Sequence, residues 1–371
     1  MSGSATVSGD ARRLRLAGRF IGDLRRGAIA ILRGGKQALA IQAAESAGAE
    51  SLKQLTALGG GKLALGLTRR RAAALGLAPA ASAPGGTVLL ALPDGTEADF
   101  LRQLADPGAA VVGLGVPAPA GDRVVDAAVE AMKLARLLPA AAIAAISAPE
   151  AKRLVEVEGL LALDAADIFA YQEIAARSLR IVSEARVPLA DAENTRLVHF
   201  RPSDGGAGHI AILIGDPDPA EPALVRLHSE CFTGDLLGSL RCDCGDQLRG
   251  AIAEIAKSGG GAVLYLSQEG RGIGLANKLR AYELQDAGFD TIDANELLGF
   301  DADERVYLPA AAMLRQLGFS RVRLLTNNPA KVEALTRCGI EVVERVPHAF
   351  PANAHNERYL RTKAQRSGHL L

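Results

Sequence analysis

The chain has 371 residues, 49% of them hydrophobic and 23% charged, and its 42 basic and 42 acidic side chains cancel. This length predicts two domains, and the apolar content excludes a disordered chain. No apolar run reaches the roughly 18 residues of a membrane span, and no secretion signal is apparent, so we expect a cytoplasmic protein with no membrane partner. Zero net charge argues against a nucleic-acid coat.

Charge and chemistry are unevenly divided along the chain. Residues 1–170 hold 19 basic and 16 acidic side chains, and the remaining residues hold 23 basic and 26 acidic ones. All six histidines and all four cysteines follow residue 198. The two halves therefore look like different kinds of protein, with the titratable and metal-binding groups in the second.

Strand and helix patterns alternate in the first half. Residues 1–11 are small and polar and predict a disordered tail. Beyond them, β-like runs occur at Gly27–Leu32 and Thr87–Leu92, and helical patterns occur at Thr96–Ala105 and Asp122–Leu138. Glycine- and proline-rich turns separate these elements. This alternation predicts an α/β or α+β domain over residues 12–177. Asp164–Arg186 has helical spacing and predicts a helix that bridges the halves.

The second half, residues 178–371, shows the same alternation and predicts a second α/β domain, so each domain is expected to hold a mixed sheet flanked by helices. Strands are predicted at Thr195–Phe200, His209–Gly215, Leu224–His228, Ala262–Ser267 and Val322–Leu325. Helices are predicted at Asp246–Ser258, at Gly274–Gly288 and after Asn327-Asn328-Pro329.

Three of the four cysteines are clustered, at Cys231, Cys242 and Cys244. A disulfide is disfavoured in an intracellular chain, and burial as small core residues is the other alternative. A Cys-x-Cys pair on an extended strand would point both thiols to one face, where Cys231 could complete a metal site. Thiolates suit zinc, and three ligands leave the fourth position of a catalytic zinc for water, whose pKa falls toward about 7. Cys338 is distant and is expected to fill a helix end.

A glycine-rich turn, Glu269–Gly274, lies between a strand and a helix. Backbone N–H groups at a helix N-terminus favour anions, although such turns are common without a ligand. A second strand-to-helix turn follows at Thr326 and leads to Lys331, and Arg226 lies near the end of another strand. Together these residues favour a triphosphate site, whereas Lys331 alone would be interpreted as an exposed helix cation.

The second half resembles the GTP cyclohydrolase II family, the zinc enzymes that open riboflavin biosynthesis. The resemblance spans about residues 180–371. It is carried by Arg226–Cys244, Ser267–Gly274, Thr291–Arg305, Leu324–Lys331 and the tail Asn356–Leu371. It implies a GTP cyclohydrolase II-like fold and the hydrolysis of GTP to 2,5-diamino-6-(5-phospho-ribosylamino)pyrimidin-4(3H)-one, formate and pyrophosphate. One zinc per subunit, magnesium on the triphosphate and a homodimer are implied as well.

The resemblance also assigns residues. Cys231, Cys242 and Cys244 would be the zinc ligands, and water on the zinc would attack C8 of the guanine ring. The positions at which the family binds GTP are Arg226, Leu227, His228, Ser229, Glu230, Gln247, Glu269, Gly270, Arg271, Thr291, Thr326 and Lys331.

Three further residues match catalytic positions of the family. Asp303 corresponds to the proton acceptor and Arg305 to a proposed nucleophile. A protonated guanidinium is a poor nucleophile, so the alternative for Arg305 is a fixed cation that stabilises phosphate charge. Tyr282 corresponds to a tyrosine beside the reacting ring, although a helical tyrosine more often packs in a core.

The first half weakly resembles 3,4-dihydroxy-2-butanone-4-phosphate synthase in Phe20–Leu32, Gly59–Leu77 and Ala127–Ile143. That family holds magnesium and ribulose 5-phosphate with an acidic loop, and it also uses histidine. This chain has Leu32-Arg33-Gly34-Gly35-Lys36-Gln37 at the loop position and no histidine before His199. Oxygen ligands for a hard cation are missing there. We therefore expect a folded, catalytically inactive domain.

Two alternatives to the cyclohydrolase remain at this point. A variant member could open GTP for another pathway, such as uracil catabolism. A zinc-stabilised nucleotide-binding regulator without turnover is the other. The intact cysteine set together with Asp303, Arg305 and Tyr282 argues against the regulator. The acidic balance of the second half argues against a nucleic-acid partner.

Overall fold

The structure is a computed structural model that describes residues 2–77, 86–108, 118–348 and residue 366. Apart from residue 366, the tail motif Asn356–Leu371 lies outside the described residues. Within the described ranges, no helix is both long enough and apolar enough to cross a bilayer.

The elements of residues 2–177 are, in chain order, α1 (Ser2–Arg25), β1 (Ala30–Gly34), β2 (Gln37–Ala43), α2 (Ala49–Leu58), β3 (Ala64–Thr68), α3 (Arg69–Ala74), β4 (Thr87–Ala91), α4 (Ala98–Ala105), β5 (Ala118–Pro119), α5 (Arg123–Leu134), β6 (Ala140–Ile146), α6 (Ala148–Glu156), β7 (Ala162–Asp164) and α7 (Ala165–Arg177).

The remaining elements are β8 (Arg180–Arg186), β9 (Thr195–Arg201), β10 (His209–Gly215), β11 (Ala223–Ser229), α8 (Cys244–Lys257), β12 (Gly260–Leu266), α9 (Leu275–Asp286), α10 (Thr291–Leu297), α11 (Leu308–Gln316), β13 (Arg321–Leu325), α12 (Pro329–Arg337) and β14 (Glu341–Val346). A π-helical turn over Phe232–Leu236 follows β11, and a 3-10 turn over Glu269–Gly272 follows β12.

The chain divides into two compact units. The first unit consists of Met1–Tyr171 and Ala276–Glu304, and the second of Gln172–Leu275 and Arg305–Leu371. The change of unit near residue 171 lies inside α7, six residues before the boundary expected from the sequence. A segment of the second half thus joins the first unit, which the sequence did not indicate.

The first unit is built on a mixed sheet with strand order β5-β4-β3-β6-β2-β1-β7. Strands β1 and β2 form an antiparallel hairpin in which Gly34 pairs with Gln37, so only Gly35 and Lys36 connect them. Helix α5 begins at the Asp122 cap, whose carboxylate accepts from Val124 N, and it buries Val125, Ala128 and Met132 in the core beside the sheet.

Helix α1 replaces most of the expected tail over residues 1–11, because it begins at Ser2. Its buried positions Leu14, Ala17, Ile21 and Leu24 recur at three- and four-residue spacing, and Ala17, Ile21 and Leu24 belong to a core cluster of the unit. No proline lies N-terminal to them, so the backbone can extend the helix toward the N-terminus. The structure thus has a helix where a disordered tail was predicted.

The second unit is built on a sheet with order β14-β13-β11-β12-β10-β9-β8. Strands β11 to β14 pair in parallel, whereas β8, β9, β10 and β12 are linked by antiparallel pairs. One apolar cluster joins α11 and α12 to the sheet, and another joins α8 to it. Helices therefore pack on the sheet through two separate cores.

The expected fold class is confirmed, because the chain is mixed α/β with two mixed sheets and flanking helices. The predicted helix over Asp164–Arg186 was too long. It ends at Arg177, and β8 follows from Arg180 and pairs with β9. Ile181 and Val182 are β-branched and favour this strand.

Candidate metal and nucleotide site

The candidate site lies at one edge of the second sheet, where three parallel strands end. Strand β11 runs into Glu230 and Cys231, β12 into Gln268 and Glu269, and β13 into Thr326. The carboxyl ends of parallel strands meet at one edge of a sheet, which is where open α/β sheets bind ligands. The fold therefore brings the motifs at the ends of these three strands to one place.

The three clustered cysteines converge at this edge. Their sulfur atoms all lie within 4.8 Å of one another, and the Sγ atoms of Cys231 and Cys242 are 3.7 Å apart. A tetrahedral ion with zinc–sulfur bonds of about 2.3 Å holds its sulfurs about 3.8 Å apart, so the observed separation fits zinc. No disulfide joins these cysteines, and Cys338 is not part of the cluster.

The prediction that Cys242 and Cys244 lie on one extended strand was wrong. Cys242 and Cys244 do not share a strand: Cys242 lies in a turn, and Cys244 is the first residue of α8. The thiols meet because the chain turns from Cys242 into the helix, while Cys231 follows β11. A helix N-terminus also favours the negative charge of a thiolate.

Crowding of the thiols affects their titration. A hydrogen bond with Cys231, with burial, raises the pKa of Cys242 to about 11. Hydrogen bonds with Cys231 and Cys242 raise the pKa of Cys244 well above its usual range. Three thiolates this close repel one another, and a divalent cation between them removes the repulsion. The donor set thus fits a soft divalent ion.

Gly234 leaves the space in which the sulfurs sit. A Cβ at this position would lie 2.8 Å from Cys242 Sγ, 2.9 Å from Cys244 Cβ and 3.1 Å from Cys231 Sγ. The glycine belongs to the π-helical turn, a type of turn frequently found at functional sites. Sequence reasoning missed Gly234, although it lies between the cysteines of the cluster.

Asp235, also missed, connects the cysteines to the neighbouring strands. Its carboxylate accepts from Cys231 N at 2.9 Å and from Tyr265 Oη at 2.9 Å, and His228 Nε2 lies 3.0 Å from it. The His228 ring stacks on Tyr265 with centroids 5.5 Å apart. Burial lowers the pKa of His228, so its ring is neutral at pH 7. These contacts fix the backbone that carries Cys231.

Arg226 forms a second buried network at the edge. Its Nη1 donates to Leu325 O at 3.0 Å and its Nη2 donates to Gln247 Oε1, while Gln247 Nε2 donates to Asp243 Oδ2. Burial lowers the pKa of Arg226 to about 10, so it remains a cation at neutral pH. The arginine is 5% exposed and thus supplies fixed positive charge beside the cysteine-bearing turn.

Four buried polar atoms on residues at or near this edge have no hydrogen-bond partner. They are Arg226 Nε, His228 Nδ1, Ser229 Oγ and Gln268 Oε1. Buried polar groups are nearly always paired, so unpaired ones call for a water or ligand. Three of these residues were predicted to bind GTP, whereas Gln268 was missed even though it stands beside Glu269. Their grouping at the strand ends is the signature of a polar ligand site.

The turn after β12 is shaped by unusual backbone angles. Gly270 and Arg271 have φ of 64° and 62°, the left-handed region that side chains other than glycine rarely adopt. Glu269 is 4% exposed, and its carboxylate accepts from Phe232 N at 2.6 Å and Gly270 N at 3.0 Å. This residue therefore holds the glycine-rich turn against the π-helical turn.

Lys331 is buried and not an exposed helix cation. Its Nζ donates to Leu227 O at 2.9 Å. The side chain of Leu227 is in the core, so only its backbone is available at the edge. Thr326 Oγ1 accepts from Asn328 N, and the Asn328 side chain caps α12. These contacts stabilise the second strand-to-helix turn.

Glu230 faces the end of β12, where its carboxylate accepts from Ser267 Oγ at 2.8 Å. Arg305 is half-buried in the second unit, and its charge helps to lower the pKa of Arg226. Tyr282, Thr291 and Asp303 belong to the first unit: Tyr282 lies on α9, Thr291 begins α10, and Asp303 is exposed beyond it.

Comparisons with known proteins show which family the chain resembles. The GTP cyclohydrolase II family model matches residues 180–347. "GTP cyclohydrolase-2" of Azospirillum brasilense is 54% identical over 375 residues, covering 99% of this chain and 97% of its own. "GTP cyclohydrolase-2" of Cronobacter sakazakii is 53% identical over 193 residues, which are 52% of this chain and 98% of that protein.

Two further matches include the first half or part of it. "Riboflavin biosynthesis protein RibBA" of Phocaeicola vulgatus is 45% identical over 254 residues, 66% of this chain and 63% of that protein. The crystal structure of RibBX, a two-domain 3,4-dihydroxy-2-butanone 4-phosphate synthase from A. baumannii, matches with 17% identity and a TM-score of 0.36, covering 90% of this chain and 99% of that one. The near full-length match at 54% identity shows that the chain belongs to the GTP cyclohydrolase II family.

Proposed function

We propose that the protein hydrolyses GTP in a zinc-dependent reaction to 2,5-diamino-6-(5-phospho-ribosylamino)pyrimidin-4(3H)-one, formate and pyrophosphate, the first step of riboflavin biosynthesis. The observation that carries this proposal is the cluster of Cys231, Cys242 and Cys244 at a sheet edge that also holds unpaired buried polar atoms. Family membership supports the same reaction.

The three cysteines would hold the zinc, which supplies a Lewis acid and activates water at neutral pH. With three protein ligands the fourth position stays available to water or substrate. Asp235 holds the backbone N–H of Cys231 and so keeps this ligand in place. The roles of the remaining residues follow from their charge and from their unpaired atoms.

Arg226 would bind an anionic part of GTP, because it is a buried cation with an unpaired Nε. Ser229 Oγ and Gln268 Oε1 would hydrogen-bond polar groups of the nucleotide. The N–H groups of the turn at Gly270 and Arg271 suit phosphate oxygens, with magnesium on the triphosphate. Arg305 would stabilise phosphate charge as a fixed cation.

Glu230, Gln247, Glu269, Thr326 and Lys331 complete the proposed binding residues of the second unit. Their hydrogen bonds hold the turns that would surround the nucleotide. Tyr282, Thr291 and Asp303 are assigned to the same reaction by the family resemblance, with Asp303 as proton acceptor.

The test is incubation of the purified protein with GTP and magnesium, followed by assay of formate and pyrophosphate and by the ultraviolet spectrum of the product. Cys242→Ser should lose zinc and formate release together. Cys338→Ser is the matched control, because Cys338 lies outside the cluster. Formate release by a zinc-free Cys242→Ser protein contradicts the metal assignment. A product that keeps its formyl group or triphosphate indicates a variant of the family reaction.

The first half is proposed to lack synthase activity. The acidic loop expected in a 3,4-dihydroxy-2-butanone-4-phosphate synthase is replaced by the tight β1–β2 hairpin, with only Gly35 and Lys36 between its strands. Neither residue supplies an oxygen side-chain ligand for magnesium. Conversion of ribulose 5-phosphate at a normal enzymatic rate would contradict this proposal. A cytoplasmic homodimer completes the proposal, and light scattering of the pure protein tests the dimer.

A further inference from the structure

The segment Ala276–Glu304 lies inside the family match but packs in the first unit. It contains α10 and all but the first residue of α9, and we call it the α9–α10 segment. It also carries three residues assigned to the GTP reaction, Tyr282, Thr291 and Asp303. The contacts that hold this segment therefore affect where these three residues lie during the reaction.

The backbone of the segment contacts the rest of the first unit at Thr68 and Gly299. Thr68 Oγ1 donates to Gly299 O at 2.8 Å. Gly299 has φ of 92°, and a Cβ there would lie 2.9 Å from both Thr68 Oγ1 and Pro139 Cγ. The backbone at Gly299 therefore fits into a slot that admits only glycine.

Arg71 adds a buried cation beside this slot. It is 2% exposed, and its guanidinium donates to Leu297 O at 3.1 Å, to Leu104 O at 2.9 Å and to Asp106 O at 2.7 Å. Three carbonyl groups from two separate parts of the chain thus share one guanidinium. The carbonyl at the C-terminal end of α10 is among them, where a cation is favourable.

Ion pairs extend the contact along the segment. Arg70 pairs with Glu296 and, at 2.9 Å, with Asp301, and Lys133 pairs with Glu304 at 2.6 Å. At the other end, Asn277 Nδ2 donates to Arg136 O and Arg280 pairs with Glu45. Arg136 has φ of 58°, a conformation that a residue with a side chain adopts only when its surroundings impose it.

A cavity of about 650 Å³ separates part of the segment from α3 and α5. Thr68, Arg70, Lys133, Glu296, Gly299 and Asp301 all line it. The segment is therefore held partly by the polar contacts around the cavity and partly by its buried apolar side chains Ile292, Leu298 and Phe300. Removal of one of the polar contacts should loosen the segment locally.

We propose that Thr68, Arg70 and Arg71 are positioning residues for the α9–α10 segment, so that the otherwise inactive first half keeps GTP turnover efficient. This proposal rests on the proposed function for its effect on GTP. The Cronobacter relative is matched over 98% of its length by 193 residues, which are 52% of this chain. The support that Thr68, Arg70 and Arg71 give to the segment is therefore proposed only for chains that carry this first half.

The decisive variant is Arg70→Glu in the full-length protein, because it reverses the charge that faces Glu296 and Asp301. We expect faster amide hydrogen exchange in residues 286–304 and a 10- to 100-fold loss of kcat/KM for GTP, since a misplacement of about 1 Å costs roughly that much. Zinc content should stay at the wild-type level, because Arg70 lies outside the cysteine cluster. Arg70→Gln is the milder second variant.

Arg153→Glu is the matched control. Arg153 also forms two ion pairs in the first unit, with Glu150 and Glu158, and neither partner belongs to the segment. Its reversal should change neither exchange in residues 286–304 nor turnover. Adding Glu296→Arg to Arg70→Glu should restore part of the slow exchange and part of the turnover, because the ion pair is rebuilt with its charges exchanged. General damage to the fold would not be repaired by this second substitution.

Hydrogen exchange separates the two proposals. If wild-type protein releases no formate, the proposed function fails, and exchange in residues 286–304 still decides whether Arg70 holds the segment. Unchanged exchange in both Arg70 variants would overturn the positioning role. Faster exchange with unchanged kcat/KM would overturn its importance for turnover.

Discussion

Gly234→Ala tests whether the cysteine cluster is built around a metal ion. The added Cβ would lie 2.8 Å from Cys242 Sγ and 3.1 Å from Cys231 Sγ, whereas ordinary contact begins at 3.4 Å. The nearer sulfur would have to move by about 0.6 Å, which exceeds the roughly 0.2 Å tolerance of a zinc–sulfur bond. Because Gly234 is buried in the π-helical turn, urea titration of the metal-free protein is needed to measure any loss of unfolding free energy separately from the effect on metal binding.

We expect zinc affinity to fall by at least 10- to 100-fold, the range seen when groups that support metal ligands are removed. Competition with a chromogenic chelator measures this change, and elemental analysis gives the zinc content. Leu236→Ala is the control, because Leu236 lies in the same π-helical turn and is 71% exposed. Wild-type affinity in Gly234→Ala would refute the inference that three thiolates surround one ion at this position.

Three other predictions concern the second unit. Burial lowers the pKa of His348 to about 4 from an ordinary 6.5, so its contribution to stability is complete above pH 6.5 and is lost as the pH falls toward 4. His348→Gln keeps a donor for Gln247 O and should reduce the loss of unfolding free energy between pH 7.5 and 4.5 by about 2–3 kcal/mol in urea titrations. Phe200→Ala should lower the free energy of unfolding by about 3–5 kcal/mol, and Val182→Ala, at an exposed position, by far less; equal losses would contradict the core assignment. Asp235→Asn should weaken zinc binding about 10-fold by chelator competition, and no change would show that the carboxylate does not support Cys231.

Strand positions in the second unit were largely predictable. His209–Gly215 was predicted with the bounds that the structure has, and the strands at Thr195 and Ala223 agree within one residue. These runs are rich in β-branched and long apolar side chains, which favour a buried strand. Because β11, β12 and β13 are parallel, polar motifs that follow them meet at one edge, and their grouping could be expected from chain order.

Local patterns failed where tertiary packing decided the outcome. Strand β6 has the sequence Ala-Ala-Ala-Ile-Ala-Ala-Ile, which favours a helix by propensity, yet it pairs with β2 and β3 inside the sheet. Small side chains suit this place, since a Cβ on Gly66 would already lie 2.9 Å from Ile143 Cδ1. Cys244 likewise begins a helix where an extended strand was predicted.

The sequence by itself determined the composition of the candidate site: the cysteine set, the polar groups after each strand and the family to which they belong. These follow from residue identity and order, which need no knowledge of packing. Only the tertiary structure decided which polar atoms stay unpaired, why Gly234 must lack a side chain, and that Ala276–Glu304 packs in the first unit. Those features depend on contacts between residues far apart in the chain, such as Thr68 with Gly299 and Arg70 with Asp301, and no local pattern records such contacts.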